Sequence, residues 1–366
     1  MKTEESLINV SFKTKALDIF DTLKLPVLAI IAGMACGCVI IATSGFNPFA
    51  AILGLLKGGY GSTYLFFTTL TRATPIIIAG LAAAFTWGAG YESMGVGGQM
   101  TMGAFVSSVV AVSCPGSSVF VIIVSLTAGA LAGAAFSLIP TWMSQKFQVS
   151  LLIVTLMMNY IADYITSYFT TYIVKDPYGS DSSAIQTAEI TAVFPKFIER
   201  YSLHYGFLIA VVCVILLYFI MYRTTFGYKA HMGGLNPRFA DYGGINSKKM
   251  MYYVLNISGA LAGLAGAIEV IGAKHRFIDQ MITSPGYAWS GITASIMSNY
   301  NPIGTFVSSV FLAGLTTGGS YIERNMGVPG DVSTVIQSVI TMLATIKIAI
   351  QISKRKKEKH LRKEEK

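Results

Sequence analysis

Residues 118–142 read Ser-Val-Phe-Val-Ile-Ile-Val-Ser-Leu-Thr-Ala-Gly-Ala-Leu-Ala-Gly-Ala-Ala-Phe-Ser-Leu-Ile-Pro-Thr-Trp, without one charged side chain. A helix needs ~20 mostly apolar residues to cross a bilayer, and this stretch exceeds that. Gly129 and Gly133 lie four apart inside it. That spacing makes a smooth strip on which another helix backbone approaches closely. Ser258-Gly-Ala-Leu-Ala-Gly-Leu-Ala-Gly-Ala267 repeats the device with Gly259 and Gly263. The pattern predicts helices packed on helices inside a membrane.

The rest of the chain agrees. Of 366 residues, 53% are apolar and 12% charged, and the mean hydropathy is +0.59. Soluble domains carry about 25% charged residues, so a disordered chain, a rod and an ordinary soluble enzyme are excluded. The 36 glycines sit largely in apolar stretches, where they favour close helix contact. Cys36, Cys38, Cys114 and Cys213 form no CxxC pair and no ligand cluster; they read as small buried hydrophobes rather than a disulfide framework or zinc site.

Ten candidate spans follow from the hydropathy pattern. They cover 25–43, 65–87, 98–113, 118–142, 149–173, 205–222, 251–272, 286–299, 302–317 and 332–352. The expected fold is an all-α integral membrane protein with both termini cytoplasmic. Residues 1–24 form a cytoplasmic N-terminal segment, 25–352 the transmembrane domain and 353–366 a basic cytoplasmic tail. In this layout the cytoplasmic segments hold eighteen Lys and Arg against seven outside, as the positive-inside rule requires. Arg72 and Lys347 fall within spans near their ends and read as snorkelling cations. The first apolar run reads as a span rather than a cleavable leader, because its preceding segment is long and of mixed charge.

Chemistry-bearing motifs are missing. The sequence has no GxxxxGK[ST] loop, no HExxH and no GxSxG, and His204, His231, His275 and His360 are scattered. The tail from Lys354 to Lys363 has no aromatic residue to stack on a base. It reads as an orientation anchor touching anionic headgroups. A channel, a transporter, or a membrane subunit driven by a partner remains.

The loop 223–250 carries the most local information. Asn236 before Pro237 is a capping side chain followed by proline at the first helical position, and Gly243-Gly244 supplies the stop. A short helix over 237–242 is predicted, held by two flexible glycine pairs, Gly233-Gly234 and Gly243-Gly244. Two turns are not stable alone, so the helix must dock against something.

Phe226-Gly227, Gly234-Leu-Asn-Pro-Arg-Phe-Ala-Asp-Tyr-Gly-Gly-Ile245 and the Ser258–Ala267 run resemble permease subunits of bacterial ABC importers. The branch is that of simple sugars, nucleosides and branched-chain amino acids. Within it the resemblance is to nucleoside permeases working with a basic-membrane-protein-type lipoprotein. Thr74-Pro-Ile-Ile-Ile-Ala-Gly-Leu-Ala82, Val149 through Met157-Met-Asn-Tyr-Ile-Ala162, Gly95–Met100, Gly286-Tyr-Ala-Trp-Ser-Gly-Ile292 and Asn301-Pro-Ile-Gly304 extend it in order over about 65–320. One segment departs: Ser93 and Gly97 stand where the family commonly has an amide and a carboxylate.

The resemblance implies that Asn236, Pro237, Arg238, Phe239, Ala240 and Asp241 form a coupling helix seated in a separate ATPase, which binds the ATP and Mg. No cofactor is implied for this chain. It also implies a second permease, copy or paralogue, and an extracytoplasmic substrate-binding lipoprotein, for which the external loop 174–204 is the candidate contact; a solvated loop is the alternative. Ala79-Gly-Leu-Ala-Ala-Ala84 and Ala262-Gly-Leu-Ala-Gly-Ala267 hint at an inverted repeat.

Polar residues inside spans are costly and face a bundle interior or wet cavity. Asn159 and Asp163, four apart on one helix face, and Glu269 are candidates for the substrate path, or for plain interhelical hydrogen bonds. Gln99 sits among glycines where a polar lining is expected. Tyr287 and Trp289 suit stacking on a base or sugar, and equally an aromatic belt. Two rivals stay open: an ion-coupled transporter using Asp163 and Glu269, and a non-transporting membrane scaffold.

Overall fold

The computed structural model describes residues 31–43, 45–176, 185–198, 200–329, 331–332, 334–336, 338–339 and 342. Among them the chain is helical throughout, with isolated β-bridges and no strand. We number the helices α1 (Ile31–Thr43), α2 (Pro48–Tyr60), α3 (Thr63–Gly88), α4 (Val96–Ser113), α5 (Ser118–Phe147) and α6 (Leu151–Tyr172). Then follow α7 (Gly206–Arg223), α8 (Thr225–Leu235), α9 (Pro237–Tyr242), α10 (Ser247–Glu269), α11 (Tyr287–Met297) and α12 (Pro302–Met326). A π-helical turn, Val270–Lys274, prolongs α10.

Seven of the described helices are long and apolar enough to cross a membrane. They match seven of the ten expected spans. The 286–299 candidate is an 11-residue helix, α11, too short to span; Gly286 before it adopts a left-handed conformation and Ser298 ends it. The 302–317 candidate runs on to Met326 as one 25-residue helix, inside which the hydroxyls of Thr316 and Thr317 donate to the carbonyls of Leu312 and Ala313. Both terminal segments (1–24 and 353–366) lie outside the described residues; of 25–43 residues 31–43 are described, and 332–352, with Lys347, is largely excluded. Helix α2 was expected as loop. Asn47 starts it, its side chain accepting from the Phe49 amide at 3.1 Å, with Pro48 in the first turn.

Two compact units emerge. The smaller, residues 1–58 with 318–366, packs Gly54 against Ile322 and Met326 and buries Ile41 and Leu55. The larger, residues 59–317, has α3 at its centre, with every residue from Ala73 to Thr86 buried. Around it, α4, α5 and α10 meet through glycine. A Cβ on Gly259 would lie 2.6 Å from the Gly133 carbonyl oxygen, and one on Gly129 2.9 Å from that of Gly103. Neither distance is sterically possible, so the strips read from the sequence are the helix contacts themselves.

Residues 185–198 form a belt along the far end of α10. The amides of Thr187, Ile190 and Phe194 donate to the carbonyls of Phe277, His275 and Ile271. Ile190, Ala192 and Phe194 are buried, so this part of the 174–204 loop is packed rather than solvated; residues 177–184 are not described. The four cysteines are free, but only Cys213 is buried. Arg72 does not snorkel: it is half-buried and donates to the Thr316 carbonyl at 3.4 Å.

Candidate functional site

Helix α6 meets the start of α4 along one ridge, and that ridge builds the site. Thr155 Oγ1 accepts from the Met94 amide at 3.1 Å. Four residues on, the Asn159 amide is used at both ends: Nδ2 donates to the Met94 carbonyl at 2.8 Å and Oδ1 accepts from the Gly98 amide at 2.7 Å. Four further, the Asp163 carboxylate accepts from the hydroxyls of Thr101 (3.2 Å) and Thr283 (3.0 Å to each oxygen). The first amides of α4 and two threonines thus orient a carboxylate and an amide on the same helix face.

A cavity of about 90 Å³ opens beside this ridge, with Gly97, Asn159, Tyr160, Asp163, Thr283 and Trp289 in its wall. Trp289 is half exposed. At Gly97 a Cβ would stand 3.5 Å from Asn159 Cγ and 3.6 Å from Ala288 Cβ, ordinary contact distances. The wall therefore has room for a side chain there, and the glycine leaves the cavity wider.

Of the six expected path residues, Asn159, Asp163 and Trp289 line this cavity. The other three are not in its wall. Gln99 is buried, and its Oε1 has no partner among the described residues. Glu269 is 2% exposed and accepts from the Tyr287 hydroxyl at 3.0 Å. Tyr287 is therefore a half-buried partner of a carboxylate, not a free stacking surface. Its neighbour Ala288 lines the cavity. Sequence reasoning missed Thr101, Thr155 and Thr283. Thr283 comes from a loop 120 positions away from Asp163, and no local signal marks it.

The short helix expected over 237–242 forms, with corrections around it. Asn236 Oδ1 accepts from the Phe239 amide at 3.2 Å, Pro237 opens α9, and the Gly243 amide closes it on the Phe239 carbonyl. The preceding stretch is not a flexible loop but a second helix, α8, capped by Thr224 Oγ1 on the Gly227 amide at 3.2 Å. Nor is Gly233-Gly234 a free hinge. A Cβ on Gly90 would sit 2.9 Å from the Gly234 carbonyl carbon, and His231 Nδ1 lies 2.8 Å from the Gly88 carbonyl. Glycine is needed there because α8 lies backbone to backbone on the turn after α3.

Helix α9 docks on its own chain. Ala240 is 1% exposed, while Asn236, Arg238, Phe239 (59%) and Tyr242 (93%) face out. The Asp241 carboxylate accepts from the Ser247 amide at 3.0 Å and its hydroxyl at 3.1 Å, which ties α9 to the first turn of α10, itself capped by Asn246. These two donors, amide first, hold the Asp241 carboxyl below the usual range, with Lys248 adding to the effect. The result is a buried foot under an exposed aromatic knob.

Residues 65–345 match the family described as branched-chain amino acid transport system / permease component. The chain is 30% identical over 331 residues to the guanosine ABC transporter permease protein NupP of Bacillus subtilis, covering 90% of this chain and 94% of the relative. It is 27% identical over 326 residues to the glucose ABC transporter permease protein TsgB13 of Haloferax volcanii, covering 87% and 85%. A second Bacillus subtilis protein, the guanosine ABC transporter permease protein NupQ, is 27% identical over 300 residues, covering 75% and 89%. No solved structure matches the chain. The chain belongs to the branched-chain amino acid transport system permease family, as a multi-pass cell-membrane subunit of an ABC importer whose ATPase is a separate polypeptide.

Proposed function

We propose that this permease imports a nucleoside, with the cavity beside α6 as a station on its path. Asp163 and Thr283 suit the hydrogen-bonding edge of a base or the hydroxyls of a ribose, and Trp289 suits stacking on either ring. The guanosine permeases NupP and NupQ favour this cargo; TsgB13 favours a simple sugar as second reading.

The observation that carries the mechanism is the exposed Phe239 on a helix anchored by Ala240 and Asp241. We place this end of the bundle in the cytoplasm, with Asn236–Asp241 seated in the partner ATPase, which binds ATP and Mg. Both termini then face the cytoplasm and the full chain has ten membrane segments, α11 being a partial one. On this reading α3 and α10 are related by an inverted repeat. The domain limits are 1–24, 25–352 and 353–366, with 223–250 inside and 174–204 outside, where an extracytoplasmic binding lipoprotein docks. A second permease completes the complex. Bacillus subtilis holds two guanosine permeases, NupP and NupQ, and the partner here is proposed to be such a paralogue.

The test is nucleoside uptake by vesicles holding the whole complex. Phe239→Glu adds charge to an exposed position, so uptake falls at least tenfold while ATP hydrolysis by the partner persists. Charge at Ala240 is not equivalent, because that side chain is the buried foot of α9. Uptake without nucleotide, abolished by an uncoupler, would establish instead an ion-coupled carrier using Asp163 and Glu269. Partner ATPase activity indifferent to any solute would mean a scaffold.

A further inference from the structure

Residues 89–95 join α3 to α4, and this strap is held at both ends. Its start lies on α8. Gly90 has a φ of 89°, and a Cβ there would stand 2.9 Å from the Gly234 carbonyl carbon. A Cβ on Gly234 would in turn run into the Ala89 carbonyl, and one on Gly233 would stand 3.1 Å from the Tyr91 hydroxyl. His231 Nδ1 lies 2.8 Å from the Gly88 carbonyl oxygen. A carbonyl only accepts, so Nδ1 carries the proton and donates. Tyr91 is buried, and that burial, then the Asp241 carboxylate, pushes its phenol up to about 12. Two backbones touch here with no side chain between them to yield, so the start of the strap follows α8.

The far end is gripped by α6. Trp87 Nε1 donates to the Ser93 carbonyl at 2.8 Å, which braces the strap against α3. Met94 is then held through both of its backbone groups. Its amide donates to Thr155 Oγ1 at 3.1 Å, and its carbonyl accepts from Asn159 Nδ2 at 2.8 Å. The oxygen of the same Asn159 carboxamide accepts from the Gly98 amide at 2.7 Å. Turned over, the group would set N–H against N–H and oxygen against oxygen, so the strap and the first turn of α4 fix its polarity. A carboxamide has two N–H donors and two acceptor lone pairs. One of each remains, and Asn159 is in the cavity wall.

We propose that the 89–95 strap is a positioning element, which fixes the polarity of Asn159 toward the cargo and carries any shift of α8 to that residue. The proposal rests on the importer reading above. Asn159 touches the cargo; His231, Met94 and Thr155 act through it. When α8 moves, Gly234 takes the Ala89–Gly90 backbone with it, and Met94 withdraws from Thr155 and Asn159. The carboxamide is then free to turn, and its donor and acceptor no longer meet the cargo in a fixed order. Affinity at the cavity is thereby set from α8, by a route separate from the tie between Asp241 and Ser247.

The test uses vesicles holding the whole complex, with guanosine as the probe and two readouts. One is hydrogen exchange in residues 89–98, followed by mass spectrometry; the other is the guanosine concentration that gives half-maximal uptake. Thr155→Val removes the acceptor for the Met94 amide and keeps the shape, and His231→Ala removes the donor to Gly88 at the other end. Neither side chain is in the cavity wall. Each variant is expected to speed exchange in 89–98 and to raise the half-saturating concentration roughly fivefold, with the maximal rate changed less. Thr155→Ser and His231→Asn keep the hydroxyl and the N–H, and should stay within about twofold of the native chain. Thr155→Val with His231→Ala should be no worse than the more affected single variant, because both release one element. Exchange and half-saturation unmoved in either single variant, or two effects that multiply, overturns the proposal. If the native complex takes up no guanosine, the cargo reading has failed and the exchange readout alone decides the strap. Guanosine uptake without nucleotide ends the importer reading, and the same two readouts still decide the strap.

Discussion

The Asp241 carboxylate accepts two hydrogen bonds from Ser247, one from its amide at 3.0 Å and one from its hydroxyl at 3.1 Å. Helix α9 is thereby tied to the first turn of α10, and α10 runs on to Glu269, which accepts from Tyr287. On the coupling role proposed for α9, a push on it is delivered to one long helix rather than dissipated in a loop. Asp241→Ala is expected to leave the permease folded and the partner's ATPase active, with uptake per ATP falling several-fold. Because its pKa is lowered, the link is fully present above the ordinary aspartate range and is lost only as pH falls through the folded value. Coupling efficiency should therefore be flat from pH 5 to 8, which a pH series of uptake against hydrolysis checks.

Glycines differ in what they protect. At Gly263 a Cβ would lie 3.0 Å from Gly133 Cα, backbone that cannot move aside, so Gly263→Ala is expected to cost about 1–3 kcal/mol. Gly263→Leu should abolish detergent-stable protein. Gly97→Ala meets only ordinary contacts and should fold normally while changing uptake. Thermal unfolding by size-exclusion chromatography separates the two; equal stability of the Gly263 and Gly97 variants would refute the packing claim.

Tyr287 holds the buried Glu269 through one hydrogen bond of 3.0 Å. Tyr287→Phe removes the donor and leaves the carboxylate short of it, at a cost of about 1–3 kcal/mol. Glu269→Gln keeps an acceptor for the same hydroxyl and should cost less. Differential scanning fluorimetry of the two variants measures the difference, and a reversed order would mean the bond is not made.

The belt around 185–204 should respond to acid. His204 is buried, its Nδ1 accepts from the Gly206 amide at 3.1 Å, and Phe194 stacks on it. Burial, then the neighbouring His275, pushes its pKa down to about 4 from 6.5. The unfolded belt then binds the proton that the folded one refuses, so local stability is full above about pH 6.5 and falls as pH drops toward 4. Hydrogen exchange in residues 185–204 should accelerate over that range in the native chain. His204→Gln should flatten the profile.

Periodicity and composition alone established a helical membrane bundle, since apolar runs of spanning length have no soluble use. They also placed the glycine strips at Gly129, Gly133, Gly259 and Gly263, because close packing demands small residues at a fixed helical spacing. The α9 cap at Asn236-Pro237 was legible for the same local reason. Capping chemistry extends over three residues and needs nothing distant. Helices α2 and α8 escaped because, at 13 and 11 residues, they are too short to read as spans, and their starts rest on single caps at Asn47 and Thr224. What only the tertiary structure decided is which polar groups meet. Asn159 and Asp163 share a face by sequence, but Thr283 reaches Asp163 from another part of the chain, and Glu269 is claimed by Tyr287. Gly233-Gly234 looked like a hinge and is a contact. A sequence records spacing along one helix; the partners of a buried carboxylate are set by the neighbours that three-dimensional packing brings within 3 Å of it.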